Sequence, residues 1–174
     1  MKEQLQKDFD NTIRNLSLSQ KDIEIKKFYL DNFINKGFPN RKEEDWKFSD
    51  LNQIIKKNIG ELSFYSDYTS TNKVNTSVFV DGLEHNKIVF INGRIEKIDF
   101  DYEKKDQIEI IDQSETINKF NSNSSLSDLN SAFTNKSFKI AVKEGYQLAK
   151  PLIIYHTTNS KIWSKNINLR LNFE

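Results

Sequence analysis

Residues 87–100 of the chain read KIVFINGRIEKIDF, and this stretch decides the fold class of the middle of the protein. Two runs rich in Ile, Val and Phe flank Asn92-Gly93. An Asn-Gly pair between two such runs is the strongest short-range signal for a β-hairpin. The stretch therefore predicts a strand over residues 87–91, a two-residue turn, and a second strand over residues 94–100.

Other strand-like runs lie on both sides of this hairpin. They cover residues 78–80, 108–111, 138–142, 146–148 and 152–156, followed by the alternating positions Ile167, Leu169, Leu171 and Phe173. Between them, residues 126–133 are predicted to form one short helix. The gaps between the later runs are too short for crossover helices. This excludes a doubly wound sheet and leaves a meander, a sandwich or the first coils of a β-solenoid.

The first sixty residues carry a helical pattern. Apolar side chains recur three or four positions apart at Leu5, Phe9, Ile13 and Leu16. A second helix is predicted to begin after the capping residue Ser19 and to end at Gly37, because Pro39 cannot continue it. A third helix is predicted to be capped by Ser49 and to end at Gly60.

These patterns divide the chain into three parts. Residues 1–60 are predicted to form a helical N-terminal domain, residues 61–77 a polar linker, and residues 78–174 a β-rich region. The predicted fold class is therefore α+β. Because the last alternating run continues to Glu174, we expect the chain to be the front part of a longer protein.

The composition limits the classes of function. The chain has 174 residues, no cysteine and a formal net charge of +1. The lack of cysteine excludes disulfides and thiolate metal ligands within this chain, and the small net charge gives no signal for nucleic acid or acidic lipid. No apolar run approaches the roughly 20 residues that cross a bilayer. We expect a cytoplasmic protein with no nucleic-acid or membrane partner.

Catalytic and metal-binding motifs are missing from the sequence. A metal site needs three or four converging ligands, and His85 and His156 lie far apart in a chain without cysteine. We interpret His85 as solvated in a polar turn and His156 as half-buried in a strand. No P-loop, dinucleotide fingerprint or Gly-x-Ser-x-Gly motif occurs. No catalytic, cofactor-binding or metal residue is predicted, and the chain is not expected to be an enzyme.

A dense run of mixed charge surrounds Trp46. Because Trp and Arg are frequent anchors at interfaces, the run predicts a docking surface. The alternative is a domain elbow, in which Trp46 and Phe48 plug the helical core while the charges face solvent. We favour the elbow because charge runs usually form a solvated face. The residues concerned under either interpretation are Pro39, Arg41, Asp45, Trp46, Lys47 and Phe48.

Four segments resemble motifs of SufD-type iron–sulfur cluster assembly proteins. The most specific is GFPNRKEEDWKFSDL at residues 37–51, which is similar to the family segment Gly, aromatic or Leu, Pro, x, Arg, then Trp-Lys-aromatic. The others follow in the family's order: VFINGR at residues 89–94, LNSAF at residues 129–133 and KPLII at residues 150–154. The chain therefore resembles the N-terminal portion of a SufD subunit.

The resemblance implies a fold and a set of partners. The fold would be a small helical domain followed by the first coils of a right-handed parallel β-helix of the SufBD type. The function would be that of a non-catalytic scaffold in the SUF system, acting with a SufB-like subunit and a SufC-like ABC-type ATPase. The iron–sulfur cluster would form transiently in the full complex, with no cofactor in this segment. The family's cluster-related His would lie beyond Glu174, so it is not carried over to His156.

Two other functions remain as alternatives. A polysaccharide-active enzyme on a β-solenoid generally needs two carboxylates that face one groove. The strand-dense stretch from residue 136 onward contains only Glu144 and Glu174, which counts against it. A carbohydrate- or protein-binding module could use Trp163 as a stacking platform.

Overall fold

The computed structural model of the chain describes five stretches: residues 2–58, 63–64, 79–114, 124–157 and 169–173. Their helices are α1 (Lys2–Arg14), α2 (Gln20–Lys36), a short 3-10 helix (Glu44–Trp46), α3 (Leu51–Asn58) and α4 (Ser125–Phe133). Their strands are β1 (Asn86–Ile91), β2 (Arg94–Asp99), β3 (Ile108–Asp112), β4 (Lys136–Val142), β5 (Leu152–Thr157) and β6 (Leu169–Phe173). The chain is therefore α+β, as its sequence predicts.

The described residues form two compact units. The helical unit contains all four α-helices, and the β unit contains β1 to β5 with most of β6. Helix α4 lies between β3 and β4 in the chain, yet it belongs to the helical unit. The division predicted from sequence, at residues 60 and 77, stays a prediction because most of the linker lies outside the described residues.

The predicted limits of the second helix are confirmed. Ser19 accepts a hydrogen bond from the Asp22 N–H at 3.2 Å, which satisfies one free donor of the first turn of α2. At the other end, Gly37 has a φ of +75°, and its N–H bonds to the Phe33 carbonyl oxygen. Only glycine adopts this left-handed backbone at little cost, so α2 ends where the sequence indicates.

The cap of the third helix differs from the prediction. The Asp50 carboxylate, rather than the Ser49 hydroxyl, accepts the Gln53 N–H at 3.0 Å. The Asp50 carbonyl also accepts the Ile54 N–H, so α3 begins one residue later than predicted. A carboxylate is the stronger acceptor for a helix N-terminus, because it also opposes the positive end of the helix dipole. The predicted stop at Gly60 lies outside the described residues.

The core of the helical unit is largely aromatic. It consists of Leu5, Phe9, Tyr29, Leu30, Phe33, Phe38, Phe64, Leu129, Ala132 and Phe133. Phe9 meets Phe133 edge-on with ring centres 6.1 Å apart, so α1 and α4 share this core. Phe28 of α2 is 39 % exposed, whereas its neighbour Tyr29 is buried.

Two lysines of α2 hold α4 at its opposite ends. Lys26 Nζ donates to the carbonyl oxygens of Ser131, Ala132 and Thr134, which are free acceptors at the C-terminal end of α4. Lys36 Nζ lies 2.9 Å from a carboxylate oxygen of Asp128, in the first turn of α4. Helices α2 and α4 therefore run antiparallel and are joined by a charged contact at each end.

The predicted hairpin is confirmed. β1 and β2 pair antiparallel, with Ile91 opposite Arg94 across a two-residue turn. Asn92 and Gly93 have φ values of 51° and 77°. Both turn residues are thus left-handed, which is the backbone that Asn-Gly tolerates best.

The six strands form two three-stranded sheets. The first has the order β2-β1-β5 and the second the order β3-β4-β6. β5 pairs parallel with β1, from Asn86 opposite Leu152 to Ile91 opposite Thr157. β3 pairs antiparallel with β4. After α4, successive strands join the two sheets in alternation. β4 belongs to the second sheet, β5 to the first sheet and β6 to the second sheet again.

Two predicted strands are wrong. Residues 146–148 lie in a turn region, because the Tyr146 N–H bonds to the Lys143 carbonyl around Gly145. Phe79 and Val80 also lie outside any strand, and residue 78 is outside the described residues. Aromatic and β-branched side chains favour strands, but Phe79 lies in a loop and its ring packs against Tyr155 of β5, with ring centres 4.6 Å apart.

None of the helices in the described stretches is long and apolar enough to cross a membrane.

The buried Lys26 gives a pH prediction. Burial lowers the pKa of Lys26 from 10.5 to about 8, and the nearby Asp22 opposes this shift. Between these pH values the unfolded chain keeps the Lys26 proton and the folded chain releases it, so folding becomes more favourable as pH rises. From pH 7 to pH 10, we expect the free energy of unfolding of wild type to gain roughly 2–3 kcal/mol over that of Lys26→Met.

Urea unfolding of both proteins across this pH range measures the difference, and the subtraction removes the titration of all other groups. A difference that stays constant with pH would contradict the account of Lys26 as a buried cation.

Candidate interaction surface

The segment between α2 and α3 contains all six residues predicted for docking or for a domain elbow. A local hydrogen-bond network around Asn40 and Glu43 shapes it. The Asn40 side chain accepts the Lys42 N–H at 3.0 Å, and the Glu43 carboxylate accepts the Asn40 N–H at 3.1 Å. The Glu43 carbonyl then accepts the Trp46 N–H, which begins the 3-10 helix. The sequence therefore folds this segment into a turn in which most side chains from Arg41 to Phe48 are exposed.

The six side chains differ in their exposure. Pro39 is buried and Trp46 is half-buried, whereas Arg41, Asp45 and Lys47 are exposed and Phe48 is 91 % exposed. The expectation that Phe48 plugs the helical core is therefore wrong. Docking and elbow roles for the segment both stay predictions.

Phe38 occupies the core position that we expected Phe48 to fill. It is 5 % exposed and meets Phe33 edge-on, with ring centres 5.0 Å apart. Phe48 instead contacts the Lys47 ammonium, whose nitrogen lies 5.8 Å from the ring centre. Phe48 is thus a single exposed aromatic side chain with a cation beside its ring.

The outer edges of the two sheets form a second candidate surface. β2 and β5 are the edge strands of the first sheet, and β3 and β6 are those of the second. β2 carries Arg94, Glu96, Lys97 and Asp99. Charged side chains on an edge strand discourage pairing with further strands.

Among the described residues, β5 carries no Lys, Arg, Asp or Glu, whereas β6 carries Arg170. β5 reads LIIYHT and β6 reads LRLNF, and Phe173 of β6 is 62 % exposed. An apolar edge strand is a template for the addition of another strand. The edges of β5 and β6 are therefore candidate sites of protein contact.

Glu103 anchors the entry to β5. Its carboxylate accepts the Tyr146 hydroxyl at 2.7 Å, the Ala149 N–H at 3.1 Å and the Lys150 N–H at 3.3 Å, together with the Asn86 side-chain amide. Partial burial alone would raise the pKa of Glu103, but these four hydrogen bonds outweigh it and bring the pKa to about 2. The carboxylate is thus held ionised as a structural tie between the loop after β2 and the turn before β5.

A surface ion pair adds to this tie. Lys150 Nζ lies 2.7 Å from a carboxylate oxygen of Glu84. The hydrogen bond from Lys150 lowers the pKa of Glu84, and the same contact raises the pKa of Lys150. Sequence reasoning did not single out Glu84 or Glu103, because an isolated acid in a loop carries no pattern that distinguishes it from a solvated one.

The two histidines occupy different environments. His85 was predicted to be solvated, but it is 4 % exposed, and its Nε2 lies 2.8 Å from the Tyr155 hydroxyl. His156 lies at the surface and meets Phe90 edge-on, with ring centres 6.4 Å apart. Partial burial lowers the pKa of His156. The two rings contact different partners and do not converge on one site.

In the stretches that the structure describes, no three His, Cys, Asp or Glu side chains are placed to hold a metal ion. Glu144, one of the two acids of the polysaccharide-enzyme hypothesis, is exposed in the turn after β4. Glu174 and Trp163 lie outside the described residues.

No family model matches the chain, and no curated protein matches it.

The opposite burial of two phenylalanines in the helical unit gives a matched prediction. Phe33 is 1 % exposed and Phe48 is 91 % exposed. Phe33→Ala should lower the free energy of unfolding by about 3–5 kcal/mol because it empties a packed site. Phe48→Ala should change it by less than about 0.5 kcal/mol.

Thermal or urea unfolding followed by circular dichroism measures both changes. Similar losses in the two variants would show that Phe48 belongs to the core after all.

Proposed function

We propose that this chain is the N-terminal, architectural part of a SufD-like subunit, which acts as a non-catalytic scaffold in iron–sulfur cluster assembly. Its partners would be a SufB-like subunit and a SufC-like ABC-type ATPase in the cytoplasm. The cluster itself would form transiently in the full complex rather than on this segment.

The four motif-like segments support the proposal because three of them lie at connections between elements and the fourth lies in the helical core. Residues 37–51 connect α2 to α3, and residues 89–94 contain the hairpin turn. Residues 129–133 form the C-terminal half of α4. Three of them, Leu129, Ala132 and Phe133, are buried in the helical core. Residues 150–154 lead into β5. The Lys150 carbonyl accepts a hydrogen bond from the Asn86 side-chain amide, and the Lys150 N–H donates one to the Glu103 carboxylate.

The parallel pairing of β1 with β5 is the observation that carries the proposed fold. In a solenoid each new coil lays strands parallel to those of the previous coil, so a chain that winds around adds to its sheets in turn. β4, β5 and β6 join the two sheets alternately, and β5 lies parallel to β1. This order is consistent with the start of a right-handed parallel β-helix, which remains part of the proposal.

The two candidate surfaces suit a scaffold subunit. The edges of β5 and β6 can accept further strands, from later coils or from a homologous subunit. The segment with Phe48 offers an exposed aromatic anchor away from those edges in the chain. The polysaccharide-active alternative has no observation in its favour among the described residues.

Copurification with candidate partners tests the proposal. The affinity-tagged chain, coexpressed with SufB-like and SufC-like subunits from the same source, should capture the SufB-like subunit or both. Failure to capture either subunit would sink the proposal.

A matched pair of edge variants then locates the contact. Phe173→Lys places a charge on the exposed β6 edge, and Ile98→Lys places one on β2, where Ile98 is 47 % exposed. We expect Phe173→Lys to reduce capture by at least about tenfold and Ile98→Lys to leave it unchanged. Equal effects of the two variants would contradict binding at the late edges.

A further inference from the structure

The turn of the β1–β2 hairpin contains a chemically reactive pair of residues, Asn92-Gly93, which is the only Asn-Gly pair in the chain. In such a pair the backbone nitrogen of the glycine can attack the side-chain carbonyl carbon of the asparagine, because a glycine has no side chain to hinder the approach. A bond from this nitrogen to Cγ forms, and the bond from Cγ to the side-chain nitrogen breaks. Ammonia leaves with the proton of the glycine nitrogen, and water then opens the succinimide ring to give aspartate or isoaspartate.

The folded turn holds the reacting atoms apart. Closure of the succinimide ring requires Cβ of Asn92 and the Gly93 nitrogen to be nearly eclipsed about the Cα–C bond of Asn92. Asn92 has a φ of 51°, in the left-handed region. In a left-handed residue, Cβ and the following nitrogen lie about 165° apart about that bond. The Gly93 nitrogen can therefore attack only after Asn92 has left this backbone conformation.

Hydrogen bonds and burial hold Asn92 in the turn. Its N–H donates to the Thr157 carbonyl oxygen at the end of β5, at 3.0 Å, and the residue is 7 % exposed. Ile91 pairs with Arg94 on the two sides of the turn. The Thr157 hydroxyl also donates to the Phe90 carbonyl oxygen, at 3.4 Å. The end of β5 thus has to separate from the turn before the Asn92 backbone can rotate.

We propose that Asn92 is a self-modification site, which is closed in the folded hairpin and reacts when the turn separates from β5. Isoaspartate carries the main chain through its side-chain carbon, so it lengthens a turn that has only two residues. Aspartate keeps the length of the main chain but places a carboxylate at a buried position, which is costly. The modification therefore marks chains whose first sheet has opened, and isoaspartate prevents the hairpin from forming again.

Deamidation of the whole chain, measured in the folded and the unfolded state, tests the proposal. Wild type is incubated at pH 7.4 and 37 °C, either in buffer or in guanidinium chloride. Trypsin, which cleaves after Lys87 and Arg94, then releases residues 88–94. The mass and the chromatographic retention of this peptide distinguish asparagine, aspartate and isoaspartate. The synthetic peptide, incubated in both solvents, corrects for any effect of guanidinium on the reaction itself.

The rate constant for deamidation of Asn92 should be at least about tenfold smaller in the folded chain than in the unfolded chain. The slowing should also match the hydrogen-exchange protection factor of the Asn92 amide, because both reactions need the same opening. Equal rates in the two states would overturn the proposal. A slowing far below the Asn92 protection factor, or an unfolded chain that does not deamidate, would overturn it as well.

Asn92→Gly is the matched control, because glycine accepts the left-handed backbone and carries no side-chain amide. Residues 88–94 of this variant should keep their mass in both states, and a mass change there would contradict the assignment to Asn92.

Refolding tests the effect of the product. After guanidinium is removed, residues 88–94 should regain protection from hydrogen exchange in unmodified chains and remain unprotected in isoaspartyl chains. Equal protection in the two would overturn the claim that isoaspartate keeps the hairpin open.

Discussion

The β unit depends on strand β1, which is paired on both edges and buried. Ile88, Val89 and Phe90 have no measurable exposure, and Ile91 is 5 % exposed. β2 pairs with one edge of β1 and β5 with the other. The Phe90 ring meets Phe138 of β4, with ring centres 5.7 Å apart, so β1 also contacts the second sheet. A strand buried in this way reads as a continuous apolar run, which is what residues 88–91 show.

Polar side chains at the start of β1 connect the loops around it. Asn86, at the start of β1, donates to Glu103 and to the Lys150 carbonyl. Its own N–H bonds to the Pro151 carbonyl. The parallel pairing of β1 and β5 brings distant loops to one end of the sheet, where single carboxylate and hydroxyl groups can satisfy several backbone donors at once.

The helical unit is organised by a different constraint, the docking of α4 on α2. An isolated nine-residue helix is marginal in water, so α4 depends on its contacts. Leu129, Ala132 and Phe133 supply the apolar face, and two lysines of α2 supply a charged contact at each end. The chain forms β3, then α4, then β4. The helical unit therefore includes a segment, α4, that lies in sequence between two strands of the β unit.

Features set by adjacent residues could be predicted from the sequence, and features set by distant residues could not. The Asn92-Gly93 hairpin, the Ser19 cap and the Gly37 stop are local, and all three are confirmed. Burial of His85 depends on Tyr155, which lies far along the chain. The polar sequence around His85 therefore wrongly indicated exposure to solvent. The burial of Phe38 in place of Phe48 likewise depends on tertiary packing, because both lie in one segment and Phe38 is the one that contacts Phe33.

The same reasoning applies to the lysine that holds α4. Lys26 lies on α2 among exposed charges, and lysine is rarely buried, so no pattern marks it. Its three carbonyl partners come from a helix about a hundred positions away in sequence. The candidate surface at the sheet edges could not be predicted either, since β5 and β6 are recognised as edge strands only when the strand order of each sheet is known.

The central claim is that β5 lies parallel to β1, with Asn86 opposite Leu152 and Ile91 opposite Thr157. Nuclear Overhauser contacts between backbone protons of the two strands test it most directly. The account predicts contacts whose residue numbers increase together from Asn86 to Ile91 and from Leu152 to Thr157. Contacts that run in opposite directions, or none between the two strands, would contradict it.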